Sequence, residues 1–349
     1  VEITGSGTHT LEFWSEDVAG NEELPHNTVA FTISSQSDDE GDKDPAKTTE
    51  ENRAAVAGDY TPVAVEGATR YETAIEASKK AFPNGAETVV ITTGENWPDA
   101  LGGSALAGAY DGPILLTPTA ALPDVVLTEV ERLEATDAII LGGPGAVSPA
   151  VEVALAAKLG ATRVRRIGGA TRYETAELIA RAVATKLDTA YDGTALVATG
   201  ANFPDALGGS PLAAAGPWPI LLATPAGLTP STAATMDDIG VDRALILGGE
   251  GVVPAATETG LSGALGAANV TRLAGLDRYE TAVDIACFAV LEEGIFRCEG
   301  TGFATGENFP DALAGGVVQG KMDAPLLLTR SASLPPVVDE ALAAQADSM

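Results

Sequence analysis

The sequence predicts three tandem α/β units, each built on a parallel sheet. The first observation is repetition. Asp99, Asp205 and Asp311 stand in NWPDALGG, NFPDALGG and NFPDALAG, 106 residues apart both times. Pro113, Pro219 and Pro325 open PILLT, PILLA and PLLLT at the same offset. RYETA recurs at Arg70, Arg172 and Arg278, and Leu141-Gly142-Gly143 returns at Leu247-Gly248-Gly249. Self-similarity of this kind marks a repeated structural unit. The second observation is grammar: short apolar runs alternate with helical patterns of about ten residues, which implies βαβ units. The third is that runs such as Thr88–Thr93 and Pro113–Thr117 do not alternate with polar residues, as expected of strands covered on both faces. Right-handed crossovers place helices on both faces of such a sheet. Each copy therefore reads as an open three-layer domain of flavodoxin-like or Rossmann-like type.

Taken in order, residues 1–34 read as β. His9–Ser15 and Thr28–Ile33 alternate apolar and polar residues around the turn-rich Asp17–Asn21. Two strands alone are not stable, so this segment is expected to be the end of a sandwich whose other strands lie upstream. The string HTLEFWSEDVAGNEE resembles the last hairpin of bacterial Ig-like surface modules. Residues 35–60 are polar, acidic and almost free of aromatics, the composition of a linker. Asp38, Asp39, Asp42 and Asp44 lack the Gly and terminal Glu of an EF-hand loop, so a solvated spacer accounts for them better than a calcium site. The copies span 61–161, 162–268 and 269–349, the third ending before its last strand and helix. In the first copy, strands are expected at Pro62–Glu66, Thr88–Thr93, Pro113–Thr117 and Ala138–Leu141. Helices are expected to start near Arg70, Ala100, Pro123 and Pro149.

Composition narrows the function classes. Of 349 residues, 45% are hydrophobic but only 5% aromatic, so the core must be built from Ala, Val, Leu and Ile. A formal net charge of −29 disfavours nucleic acid and anionic lipid as partners. Solubility or adaptation to salt explains the acidity as readily as any binding role. Cys287 and Cys298 have no equivalents in the other copies, so they form no repeated metal site; one disulfide or two free buried thiols fit equally. No apolar run reaches the roughly 18–20 residues of a membrane span. The chain begins at Val1 without an initiator Met and reads as an excerpt of something longer.

Three motifs recur. In Thr69-Arg70-Tyr71-Glu72 and in Thr171…Glu174 the spacing is that of a capping box, and Asp277…Glu280 keeps it with Asp as cap. Tyr71, Ala74, Ile75 and Ser78 share one helical face. Capping and packing thus explain Glu72 and Tyr71. They do not explain an arginine in the first helical turn, where the dipole disfavours a cation. Arg70, Arg172 and Arg278 call for a fixed partner, either a buried carboxylate between copies or an anionic ligand. The second motif, around Asn96, Asn202, Asn308 and Asp99, Asp205, Asp311, sits where a strand ends and a helix begins, the usual ligand side of a parallel sheet. It lines either a polar groove for a sugar or phosphate-sugar ligand, or a packing contact for which its glycines leave room. The third motif, Leu141-Gly142-Gly143-Pro144-Gly145, lacks GxxxxGK[ST] and GxGxxG patterns, so a tight turn fits better than a nucleotide site.

Catalysis finds little support. Both histidines, His9 and His26, lie outside the repeats and no cysteine recurs, which removes Ser/His/Asp, Cys/His and zinc chemistry from the array. Of the carboxylate pairs, Glu95 with Asp99 is lost in the second copy, where Ala201 replaces the glutamate. No cofactor, metal or catalytic residue is expected.

RYETA followed by TGENxPDALxGG, PILLT and the LGG turn resembles the cell-wall-binding repeat type 2 family of Gram-positive surface proteins, over about residues 61–349. The resemblance implies a secreted module that anchors its protein non-covalently to the cell wall through an anionic wall glycopolymer, with no nucleic-acid partner. It also implies three domains around a pseudo-threefold axis, with pockets near the junctions. The residues it carries over as contacts are Arg70, Arg172 and Arg278, with the three asparagines and three aspartates nearby. Two departures stand out: the third copy is incomplete, so a closed trimer is in doubt, and the negative charge favours many weak contacts over a basic trough. A self-associating surface-layer scaffold and a wall-glycan hydrolase are the alternatives.

Overall fold

The computed structural model describes residues 7–13, 27–33 and 63–346. It divides into two compact units, residues 65–329 and residues 1–64 with 330–349. In the smaller unit β1 (Gly7–Phe13) and β2 (Asn27–Ile33) pair antiparallel, with Gly7 opposite Ile33 and Phe13 opposite Asn27. This is the hairpin that alternation predicts. The turn between the strands, the linker at 35–60 and its four aspartates lie outside the described residues.

The larger unit starts with α1 (Arg70–Ala81), β3 (Thr88–Thr93), α2 (Gly103–Ala109) and β4 (Ile114–Thr117). Then come α3 (Asp124–Arg132), β5 (Asp137–Leu141), α4 (Pro149–Leu159) and β6 (Val164–Ile167). The second round is α5 (Arg172–Leu187), β7 (Thr194–Thr199), α6 (Pro204–Gly208), α7 (Ser210–Ala215) and β8 (Ile220–Ala223). It closes with α8 (Pro230–Asp238), β9 (Arg243–Leu247), α9 (Ala255–Leu265) and β10 (Val270–Leu273). The third round has α10 (Arg278–Cys287), β11 (Gly302–Thr305), α11 (Pro310–Lys321) and β12 (Leu326–Thr329). The chain then continues in the smaller unit with α12 (Pro336–Ala346).

Strand pairing in the larger unit is parallel, in the orders β4-β3-β5-β6, β8-β7-β9-β10 and β11-β12. Every residue of β3 and β7 is buried, which is why these strands read as unbroken apolar runs. The core is aliphatic, as the composition requires: Ile91, Leu115, Leu116, Ile139, Ile140 and Leu141 are fully buried.

Two expectations need correction. No strand forms at 63–66. Its counterpart β6 pairs with β5, Leu141 opposite Ile167, and so completes the sheet begun in the copy before. Residues 63–66 have no such upstream strand to pair with among the described residues. The helix that follows each of these segments joins the next sheet, α1 against β4 and α5 against β8. In addition, the second helix of the first copy begins at Gly103 rather than Ala100, after i→i+3 bonds from Ala100 N–H to Trp97 O and Gly103 N–H to Ala100 O. In the third copy α11 runs unbroken, because Ala314 stands where the others have Gly102 and Gly208 and alanine costs the helix about 1 kcal/mol less.

The three copies close into a ring. Helices α2, α7 and α11 pack against one another at its centre. Around them, α5 packs on α2, α10 on α6 and α1 on α11, so each RYETA helix rests on the central helix of the preceding copy and the first rests on the third. Such close approach requires bare backbone. A Cβ on Gly108 would lie 2.0 Å from Ala214 O, and one on Gly316 would lie 1.8 Å from Ser210 Oγ. Every helix of this ring lies within residues 65–329.

Candidate functional site

Each junction brings together an arginine from one copy and the strand-end loop of another. Arg70, Arg172 and Arg278 occupy the first helical position of α1, α5 and α10, half-buried in all three. Their caps differ. Thr171 Oγ1 accepts the Glu174 N–H at 3.2 Å and Asp277 accepts those of Tyr279 and Glu280, whereas the Thr69 side chain makes no cap bond. Glu174 and Glu280 reach back to the N–H groups of Ala170 and Leu276, one residue before the cap, rather than to the cap itself.

The arginine partner is one that sequence reasoning did not weigh. Arg70 Nη1 donates to the Gly94 carbonyl at 2.5 Å and Arg172 Nη1 to the Gly200 carbonyl at 2.7 Å; Arg278 Nη1 donates likewise to Gly306. The accepting glycine ends the strand that leads into the motif of the same copy. The rest of each guanidinium faces the preceding copy. Arg172 lies over the Trp97 ring, 4.6 Å from its centroid. Arg278 is close enough to Asp205, and Arg70 to Asp311, to lower those carboxyls' pKa values.

Burial works against that pull and prevails. It raises Asp205 to about 6, offset in part by the Arg278 charge. Asp311 is also raised by desolvation and lowered by Arg70, although its residue surface is exposed and water caps the effect. Asp99 and Asp205 sit against the LGG turns. Gly142 and Gly248 have φ of +96° and +103°, and a Cβ there would come 2.9 Å from Asp99 Oδ2 and 2.5 Å from Asp205 Oδ2. Glycine is needed at these two turns both for backbone shape and for space. The three asparagines are exposed. Each Oδ1 accepts the next residue's N–H: Trp97 on Asn96 at 3.0 Å, Phe203 on Asn202 and Phe309 on Asn308 at 2.9 Å.

Sequence reasoning missed two sets of residues. Trp97, Phe203 and Phe309 meet where the copies converge, with ring centroids 6.0 Å apart for Trp97–Phe203 and 6.2 Å for Phe203–Phe309. Arg166 and Arg272 brace the LGG turns, donating to the Gly142 carbonyl at 2.8 Å and the Gly248 carbonyl at 2.6 Å while pairing with Glu152 and Glu258. Both sets recur at the 106-residue offset, which was the available signal. Of the Glu95–Asp99 pair, Glu95 accepts the Thr119 N–H at 3.2 Å. Cys287 is exposed and Cys298 half-buried, both free thiols, so the pair is not buried as the free-thiol reading expected. Among the described residues no cluster of His, Cys, Asp and Glu suits a metal ion, and no helix is long and apolar enough to cross a membrane.

The three α/β copies close into a ring with a like arginine at each junction. Cell wall binding domain 2 (CWB2) is the family whose model matches residues 65–152, 166–258 and 272–346, and the chain belongs to it. Cell-wall binding is accordingly what this module does. Among solved structures the chain is similar to Cwp6 from Clostridium difficile, at 30% identity and a TM-score of 0.67, over 76% of this chain and 41% of that one. Cwp8 from Clostridium difficile shares the fold at a TM-score of 0.67 and 24% identity, over 82% of this chain and 51% of that one. Curated relatives include the N-acetylmuramoyl-L-alanine amidase LytC of Bacillus subtilis (strain 168), 28% identical over 77% of this chain and 50% of that protein. The amidase enhancer of Bacillus subtilis (strain 168) is 28% identical over 77% of this chain and 35% of that protein. The chain thus spans half or less of the length of these curated relatives.

Proposed function

We propose that the three junctions bind an anionic wall glycopolymer non-covalently and without catalysis, holding an extracellular protein at the cell surface. The observation that carries this reading is the arginine geometry. Each guanidinium spends Nη1 on a glycine carbonyl, and its other N–H groups have no hydrogen-bond partner among the described residues. An oriented guanidinium with free donors suits a phosphate or carboxylate oxygen. The exposed asparagines Asn96, Asn202 and Asn308 stand in the adjoining loops, where their NH2 groups suit sugar hydroxyls. Three weak stations on one rigid ring gain avidity on a repeating polymer, which answers the difficulty set by a net charge of −29.

The test is retention on purified cell wall by the chain with Arg70, Arg172 and Arg278 all changed to Ala, checked by circular dichroism for an intact fold. Loss of retention is expected, with single variants losing only part. Full retention by the folded triple variant would overturn the arginine role.

A further inference from the structure

The second copy differs from the first in a way that wall anchoring does not explain. Between α8 and α9 the second sheet carries a solvent-open cleft of about 460 Å³, inside the range of roughly 300–1,000 Å³ typical of small-molecule sites. It owes its existence to substitutions between equivalent positions. Leu127, Val151, Ala154 and Lys158 of the first copy become Ala233, Thr257, Gly260 and Ala264 in the second, each 106 residues on. In the first copy Leu127 is half-buried and Lys158 pairs across the helices with Glu131. In the second, the truncated side chains leave the space empty and Asp237, the Glu131 equivalent, loses its cation.

The lining has distinct ends. Met236 and Leu261 form part of the buried apolar cluster beneath the cleft. Thr257, 4% exposed, presents a buried Oγ1 with no hydrogen-bond partner. A buried hydroxyl without a partner is costly in a finished core; in the lining of an open cleft it is a recognition group. The exposed Asp237 is the one charged residue of the lining, and its first-copy equivalent Glu131 pairs with Lys158, the equivalent of Ala264. Thr257 and Ala264 are separated by seven helical positions, about 10 Å along α9.

We propose that this cleft binds an elongated aliphatic ligand with an ammonium group at one end and a hydroxyl or carbonyl at the other. The ammonium pairs with Asp237, the polar end meets Thr257 Oγ1, and the methylenes lie along Met236 and Leu261. A carboxylate-headed ligand of the same length is repelled by Asp237 and by the acidity of the chain as a whole.

The probe is 6-amino-1-hexanol, titrated into the full chain labelled with 13C at the methionine methyls. Among the described residues only Met236 of the methionines lines the cleft, and Met322 serves as internal control. The expected result is a saturable shift of the Met236 methyl alone. Hexylamine, lacking the hydroxyl, and 6-hydroxyhexanoate, lacking the ammonium, should each bind about threefold or more weakly. The double variant Ala233→Leu with Ala264→Lys, which restores the first copy's residues at exposed positions, should keep its melting temperature and lose the shift. Silence at Met236, a shift that survives in this variant, or equal affinity for the carboxylate would overturn the proposal. So would a Met236 shift that follows protein concentration without probe, since a second copy of the chain would then occupy the cleft.

Discussion

Asp205 offers the most direct check of the junction electrostatics. Its carboxyl stands at about 6 rather than 3.8 because burial disfavours the anion more than Arg278 favours it. A pKa raised in the folded state means that folding takes up protons. Asp205 therefore adds stability below pH 4, and that contribution disappears as pH rises through 6. The difference corresponds to roughly 3 kcal/mol lost above pH 7, and partial water access discounts it to about 1–2 kcal/mol. Asp205→Asn removes the titration while keeping shape and a hydrogen-bonding group. The assay is urea denaturation of both proteins at pH 5 and pH 8, reading the difference between them so that the other 48 acidic residues cancel. Because only part of the effect falls in this window, the variant should gain about 0.5–1 kcal/mol relative to wild type between pH 5 and pH 8. A constant difference across that range would refute the account of a desolvated carboxylate at the junction.

Other consequences follow from the same geometry. Gly316→Val should destabilise the ring by about 2 kcal/mol or more by driving a side chain into Ser210, while Gly315→Val, which meets nothing within 4 Å, should be close to neutral because valine is no worse a helix former than glycine; thermal melting separates them. Phe203→Ala removes the ring that touches both other aromatics and should cost about 3 kcal/mol in denaturant unfolding. Thr171→Ala should lose about 1 kcal/mol, and Thr69→Ala clearly less because its cap bond is absent. Wall retention, measured between 50 mM and 500 mM salt, should fall steadily if exposed arginine contacts carry it.

Much of the architecture is legible because it is local. Thr88–Thr93 reads as a doubly covered strand from its apolar run and is one. Arg70 marks a helix start and α1 begins there. Where reading failed, the deciding interaction was long-range. The segment before RYETA looks like the first strand of its own copy, yet β6 bonds to β5 because the neighbouring edge that it meets belongs to the copy before. For Arg172 the sequence offered a buried carboxylate between copies or an anionic ligand, and did not show that a carbonyl 28 residues away accepts its bond while a tryptophan 75 positions back lies beneath it. The aromatics were not singled out, since nothing in a single NFPD loop tells that three such loops converge.

The sequence by itself determined the copy number, the alternation of strands and helices, the aliphatic core and the positions that recur. Those properties are written in short periods and a fixed offset. Only the tertiary structure decided that the three copies close into a ring, that Arg70 answers Asp311 across 241 residues, and that a cleft stands open between α8 and α9. Each of these depends on surfaces meeting in space, and the energies that select them come from burial and charge between elements that no local pattern connects.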